Sequence, residues 1–582
     1  MADHLSPFES NTDAVLRRLD EIDHRLRALE ARLEGLRAPV LDAPLAEPTG
    51  SSDRFGPRPG LSAGTIASFA GRTCLVLGGG YLLRALADFG VLPLPFAVAL
   101  GQLYALSWFF VADRAGKSGK ATSATFHGLA ATALIFPLFF EVTIKYRLLE
   151  PWSVAAALTA VAGLGILVGW RRRLQGLVWI VSTAAIITAV AFLRSGDAIA
   201  PFALLLVLLG AMTDWVADAT EWWRVRWLPA FAADAAVVWL VVQSAGSQDP
   251  QKVISAVAVA LALFGTSFAS SSVRMLAVRK DVTRFDIAQS AAAFVVGYGG
   301  AAYTARASGL TTIPFGLPGL LLGASVYGVA FWRDSAALSR RNFYYFSTMA
   351  IALVIAGGSL AFSPPLAASL WIVLAPAGVL LGRRYLHATL SSHGAVYLVA
   401  AAAASGLFLQ AGYGLLGPAT RPWPAVTVFA LAALAAAAVC SAVAPVGVRT
   451  LRATNVVMAI AGRRTYLGVP RALALAILIL GLAGVSVARI VAAVPGSPGP
   501  ESNWGVVATI RTLMLSGAAI LMSGLARGDR VREAGRLVYP LFIAAGLKIL
   551  VEDFRHSEPA TLFVALVVYG SALILAPRLA SK

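Results

Sequence analysis

From about residue 64 onward the sequence is a succession of apolar stretches, each 17–25 residues long, separated by short polar loops. Wound as a helix, a stretch of that length covers the ~30 Å hydrocarbon core of a bilayer. A helix also satisfies its own backbone N–H and C=O groups, as hydrocarbon requires. Eighteen such stretches centre near residues 77, 102, 135, 161, 184, 208, 236, 261, 296, 321, 352, 374, 401, 434, 480, 513, 543 and 568. Hydrophobic residues make up 58% of the 582 residues and charged residues 13%, against about 25% charge in soluble domains. That balance excludes a string of soluble domains, a disordered chain and a disulfide scaffold. The expected fold is an all-α, polytopic helical integral membrane protein with about eighteen transmembrane helices.

The net charge of +18 belongs to this apolar body. Residues 1–63 hold 8 basic and 11 acidic residues, and the remainder holds 40 and 19. With the N-terminus in the cytoplasm, every second loop is basic. Those loops carry Arg114, Lys117 and Lys120; Arg171, Arg172 and Arg173; Arg224 and Arg226; Arg274, Arg279, Lys280 and Arg284; Arg333, Arg340 and Arg341. The series continues through Arg383 and Arg384, the arginines between 449 and 471, those between 527 and 536, and the tail. Loop Lys/Arg asymmetry sets orientation, so both termini are expected on the cytoplasmic side of a bacterial inner (plasma) membrane. The basic residues form no contiguous, aromatic-interleaved patch, so no nucleic-acid partner is expected.

Two segments precede the body. In residues 13–37, Val15, Leu19, Ile22, Leu26, Leu29, Leu33 and Leu36 alternate in steps of four and three, the apolar seam of a coiled coil. A homo-oligomer through residues 13–37 is one reading, with residues 1–37 as a cytoplasmic coiled-coil helix. The other is a single amphipathic helix folded onto a cytoplasmic surface. Residues 38–63, with five prolines and several glycines and serines, read as a flexible linker, and residues 64–582 as the transmembrane domain. Between spans fourteen and fifteen, residues 445–468 include an apolar run between arginines that can lie in the interface.

Motif chemistry is sparse. Gly116-Lys117-Ser118 ends like a phosphate loop, but the first glycine of that motif is replaced by Val111, and a transmembrane helix precedes it where a strand is needed. The histidines show no metal-ligand spacing, and Cys74 and Cys440 lie far apart inside apolar spans. No cofactor and no metal is expected. What remains is charge at or inside the membrane, which is costly to place there. Three i,i+4 pairs fall at the outer ends of spans: Arg84 with Asp88, Glu141 with Lys145, and Lys548 with Glu552, with Asp553 directly after. Arg511 lies about a third of the way into its span, and Asp234 several residues inside another. Arg84, Asp88, Glu141, Lys145, Arg511, Lys548, Glu552 and Asp553 are therefore the candidates for a substrate site or proton pathway. The alternative is that they snorkel and anchor helix ends.

Arg536, Gly546-Leu547-Lys548 and Asp553, followed by a last span ending in Pro577-Arg578, resemble the C-terminal signature of a large uncharacterised family of bacterial polytopic membrane proteins. The run from Gly71-Arg72 through the glycines to Leu83-Arg84 resembles that family's first span. The resemblance implies an N-terminal coiled coil, a linker and many short-looped spans, and implies no activity.

Three functions compete. The first is transport or flipping of a lipid-linked or amphipathic anionic substrate, with membrane lipids as partners. The second is a membrane scaffold that oligomerises through its coiled coil. The third is a polyprenyl-phosphate-dependent glycosyltransferase with Asp88 or Glu150 as an external base. Missing catalytic motifs place an enzyme last.

Overall fold

The computed structural model describes residues 91–580 apart from 196–197, 333–338, 386, 445–468, 500–501 and 528–533, with 25, 27, 28, 71, 78–80, 82, 84–86 and 89 before them. The coiled-coil seam, the linker, Cys74, Asp88 and the segment 445–468 lie outside the described residues. The chain divides into two units, Met1–Gly79 and Gly80–Lys582; only isolated helical residues of the first are described, and everything below concerns the second.

Among the described residues every regular element is helical. The first nine are α1 (Leu94–Lys117), α2 (Ala121–Ile144), α3 (Pro151–Arg171), α4 (Gln175–Ser195), α5 (Ile199–Thr220), α6 (Trp227–Ser244), α7 (Pro250–Leu276), α8 (Arg284–Ala292) and α9 (Gly300–Ala307). A π-helical segment, Ala293–Gly299, joins α8 to α9. There follow α10 (Ile313–Trp332), α11 (Arg340–Ala361), α12 (Pro364–Arg384), α13 (Ala388–Ala404), α14 (Leu407–Leu416), α15 (Val428–Val443), α16 (Val469–Ala492), α17 (Trp504–Ala526) and α18 (Ala534–Lys548). A second π-helical segment, Ile549–Asp553, leads into the short α19 (Phe554–His556) and then α20 (Pro559–Ala580).

Thirteen of these helices are long and apolar enough to cross a membrane, or fourteen if the bent pair α13 and α14 is one span. The chain is thus an all-α, multi-pass helical protein. The expected spans near 296 and 543 fall on helices interrupted by the two π segments, and the one near 434 is only 16 residues long.

Local chemistry fixes many of the ends. Asp249, Thr283, Ser339, Thr427 and Asn503 each cap a helix by accepting a backbone N–H of its first turn, which satisfies donors the helix cannot. The buried side chains form an N-terminal core drawn from α1–α7 and α9 and a second one drawn from α11–α16. A third links α16, α17, α18 and α20.

The span expected near residue 401 falls on the bent pair α13 and α14. The helix breaks by 68° between α13 and α14, at Gly406, whose φ of +80° lies in the left-handed region that costs side-chain-bearing residues energy. The freed Ser405 carbonyl is taken by the Thr427 hydroxyl at 3.0 Å, and Gln410 donates to the Ala425 carbonyl at 2.9 Å. The stretch after α14 folds back and covers the break, as buried irregular backbone requires.

Backbone contact fixes where α14 lies. A Cβ on Gly414 would sit 2.1 Å from the Gly484 carbonyl oxygen of α16, and one on Gly484 would sit 2.5 Å from Ala411 Cα. Small residues let helices approach this closely. Gly484→Leu is expected to lower the thermal midpoint sharply in a fluorescence-detected chromatography assay, by more than the ~1–3 kcal/mol typical of overpacking, because backbone cannot move aside. Gly412→Ala, where a Cβ meets nothing within 4 Å, should be neutral, and equal tolerance of both would disprove the packing argument.

Candidate functional site

The four C-terminal candidate residues meet in one buried network. Lys548 is the last residue of α18, and Glu552 and Asp553 lie in the π segment that follows. A π turn closes from i to i+5. Lys548 Nζ accordingly reaches Asp553 Oδ1 at 2.7 Å, while Glu552, the i+4 partner expected from α-helical spacing, stands at 3.6 Å. The ammonium also donates to the Ala508 carbonyl and, at 2.8 Å, to Thr512 Oγ1; that hydroxyl in turn donates to Asp553 Oδ2 at 2.8 Å. Lys548 therefore uses all three donors, and Asp553 is completely buried.

Glu552, displaced from the lysine, takes Arg511 Nη1. Arg511 is only 1% exposed and directs its other donors at backbone. Its Nε donates to Gly414 O at 2.8 Å, and Nη2 donates to Tyr413 O at 3.1 Å and to Gly417 O. These carbonyls lie at the C-terminal end of the half-helix α14, where the dipole is negative; Tyr413 O also accepts the Gly417 N–H at 2.9 Å. The guanidinium also lies 5.2 Å from the Trp423 ring centroid, in the stretch that covers the break. Two cations, two carboxylates and a helix terminus thus join α14, α17 and α18 with formal charge balanced.

The other candidates stand elsewhere. Arg84 Nη1 meets Glu141 Oε1 at 2.7 Å, with both side chains about a third exposed, so Glu141 pairs across helices and not with its i+4 neighbour. Lys145 turns to the Tyr146 hydroxyl at 3.3 Å, and α2, which carries Glu141, packs on α1, α3 and α4. Of the seven described candidates, Arg511, Lys548, Glu552 and Asp553 meet in one network, and Arg84, Glu141 and Lys145 stand apart from it. Glu150 is exposed at the N-cap of α3.

A second buried network was not foreseen. Asp214 and Asp218 near the end of α5, Arg226 before α6, Arg274 near the end of α7 and Asp286 in the first turn of α8 converge. Arg274 spends each nitrogen on a different carboxylate: Nη2 on Asp214 at 2.9 Å, Nε on Asp218 at 2.6 Å and Nη1 on Asp286 at 2.6 Å. Arg226 contacts the same three at 3.2, 3.9 and 3.8 Å, with its guanidinium 4.1 Å from the Phe285 ring centroid. Asp286 closes the capping box with Thr283. The sequence places Arg226 and Arg274 among the basic residues of the cytoplasmic loops. They are 2% and 3% exposed, and their role is to hold three carboxylates. The available signal was Asp214 and Asp218 themselves, a like-charged i,i+4 pair that an isolated helix disfavours.

Cys440 is a buried free thiol. Among the described residues no three of His, Cys, Asp or Glu are placed to hold a metal ion. No family model matches the chain, and comparison with curated proteins and with solved structures gives no match either.

Proposed function

We propose that the protein moves amphipathic anionic molecules, lipid-linked ones foremost, across a bacterial inner membrane, with both termini in the cytoplasm. The observation that carries this reading is the meeting of a broken helix with a charge-balanced buried network. Discontinuous helices whose half-helix ends point at buried charge are a recurrent way to build a substrate site in secondary transporters. Here Arg511 binds the end of α14 and Glu552 together, so whatever competes for Arg511 also acts on the half-helix.

In this reading Glu552 stands in for the substrate. An incoming phosphate or carboxylate displaces it from Arg511, charge balance is kept once Glu552 is protonated or solvated, and α14 is released to move about the Gly406 hinge. Arg511 suits the exchange, because its planar fork accepts a bidentate anion as readily as it holds carbonyls.

The test is native mass spectrometry of protein released from nanodiscs that contain phosphatidylglycerol, a polyprenyl phosphate and phosphatidylcholine. The two anionic lipids should be retained selectively. Glu552→Gln, which removes the competing charge while keeping its shape, should raise their retention about tenfold, the effect of ~1.4 kcal/mol. Equal retention of all three lipids, unchanged by Glu552→Gln, would overturn the reading. The heptad seam of residues 13–37 favours a second reading, an assembly scaffold. An oligomer that collapses when residues 1–37 are deleted, with no lipid selected, would establish that one instead.

A further inference from the structure

We propose that Asp234 is a protonation site inside the membrane-spanning part, connected to the aqueous end of α5–α8 through Gln289 and a water-sized polar cavity. This inference is independent of the proposed transport activity.

Asp234 is the eighth residue of α6, a helix long and apolar enough to span. At 1.5 Å per residue it lies about 12 Å along the axis from Arg226, where the ion network stands. Among the described residues its one hydrogen-bond partner is the Gln289 carboxamide, which donates to Oδ1 at 3.0 Å, and no cation comes within ion-pair distance. An ionised carboxylate in hydrocarbon is paired, bound to a cation or converted to the acid, and a single amide donor provides only one weak partner.

The charged and titratable groups on every element packed against α6 are otherwise engaged or distant. Asp214 and Asp218 of α5, Arg274 of α7 and Asp286 of α8 are held in the ion network with Arg226. Arg284 sits at the exposed start of α8, beside that network. Arg194 of α4, Lys252 of α7 and Arg306 of α9 stand at the opposite helix ends, as does Tyr303 of α9, which is exposed. Tyr298 of the π segment donates to the Phe315 carbonyl at 3.0 Å. Among the described residues no cation neutralises Asp234, which leaves a proton to do so.

A route for that proton exists. Gln289 also lines a cavity of about 30 Å³ whose other polar walls are Asp214, Thr266, Ser267, Ser270 and Ser271. That space is enough to admit a water, which would face polar partners on three helices. Asp214 is 13% exposed in its side chain and Asp218 21%, so the chain of groups ends where solvent begins. The helix that brings Gln289 to Asp234 passes into the π segment four residues later; such bulges are frequent at functional sites.

Dicyclohexylcarbodiimide, an apolar reagent that modifies protonated carboxyl groups within membranes, reads this directly. With the full chain in nanodiscs, peptide mass spectrometry should find the adduct on Asp234, formed several-fold faster at about pH 5.5 than at about pH 8.5, a range that brackets perturbed carboxyl groups. Asp553 and Asp286, each bound to a cation, serve as internal references and should stay unmodified. A carboxylic-acid C=O band in the pH-difference infrared spectrum should disappear in Asp234→Asn, a variant checked for unchanged elution. No adduct on Asp234 together with no such band overturns the proposal, as does an adduct whose rate ignores pH or matches that of Asp553.

Discussion

Arg274→Leu should leave little folded protein, and Arg274→Lys should rescue only part of the loss. The arginine is 3% exposed and gives one nitrogen to each of three carboxylates on two other helices. Its removal leaves Asp214, Asp218 and Asp286 with Arg226 as their one remaining cation among the described residues, at 3.2–3.9 Å. Breaking a buried ion pair from one side costs about 3–5 kcal/mol, because the partner's charge stays buried without compensation, and here three partners are affected. Lysine keeps the charge but replaces a rigid planar fork by a point charge, which cannot address three carboxylates in three directions. The measurement is the folded, monodisperse fraction and thermal midpoint of both variants beside Arg279→Leu, a change of exposed charge at the end of the same helix. If Arg274→Leu matched Arg279→Leu, the network would be a surface feature and the burial argument would fail.

That network also shows where sequence reasoning stops. The helical class is legible because a bilayer imposes one length on every span, and apolar runs of 17–25 residues have no other explanation. The break at Gly406 is hidden, because the run from Ala388 to Leu416 contains no proline. The kink depends on a left-handed residue and on Thr427, which covers the exposed carbonyl from 22 residues away. Lys548 and Glu552 stand out in the sequence as an i,i+4 pair and do form one at 3.6 Å, but the shorter contact, 2.7 Å to Asp553, is not legible there. The π turn changes which residues lie over one another, and no local motif announces it. The burial of Arg226 and Arg274 is hidden for a related reason. They stand among Arg224, Arg279, Lys280 and Arg284, and sequence alone cannot separate an arginine that marks topology from one buried against three aspartates.

Lys548→Met should be as damaging as Arg274→Leu, and its compensated double variant separates architecture from function. Asp553 is completely buried, and among the described residues its side-chain partners are Lys548 and Thr512, so methionine leaves a buried carboxylate without a counter-charge at 2.7 Å. Removing both charges in Lys548→Met with Asp553→Leu substitutes apolar groups for the pair. Such replacements are often neutral or stabilising, and much of the folded yield should return. If the network only holds α17 to α18, every property should return with the yield. If it serves the anion exchange proposed above, the double variant should fold and yet lose selective retention of phosphatidylglycerol and polyprenyl phosphate, because Lys548 also stands 3.6 Å from Glu552 and keeps the exchange charge-balanced. Full recovery of both folding and retention would reduce Lys548 and Asp553 to a structural pair, leaving Arg511 and Glu552 as the only part of the network able to meet an anion.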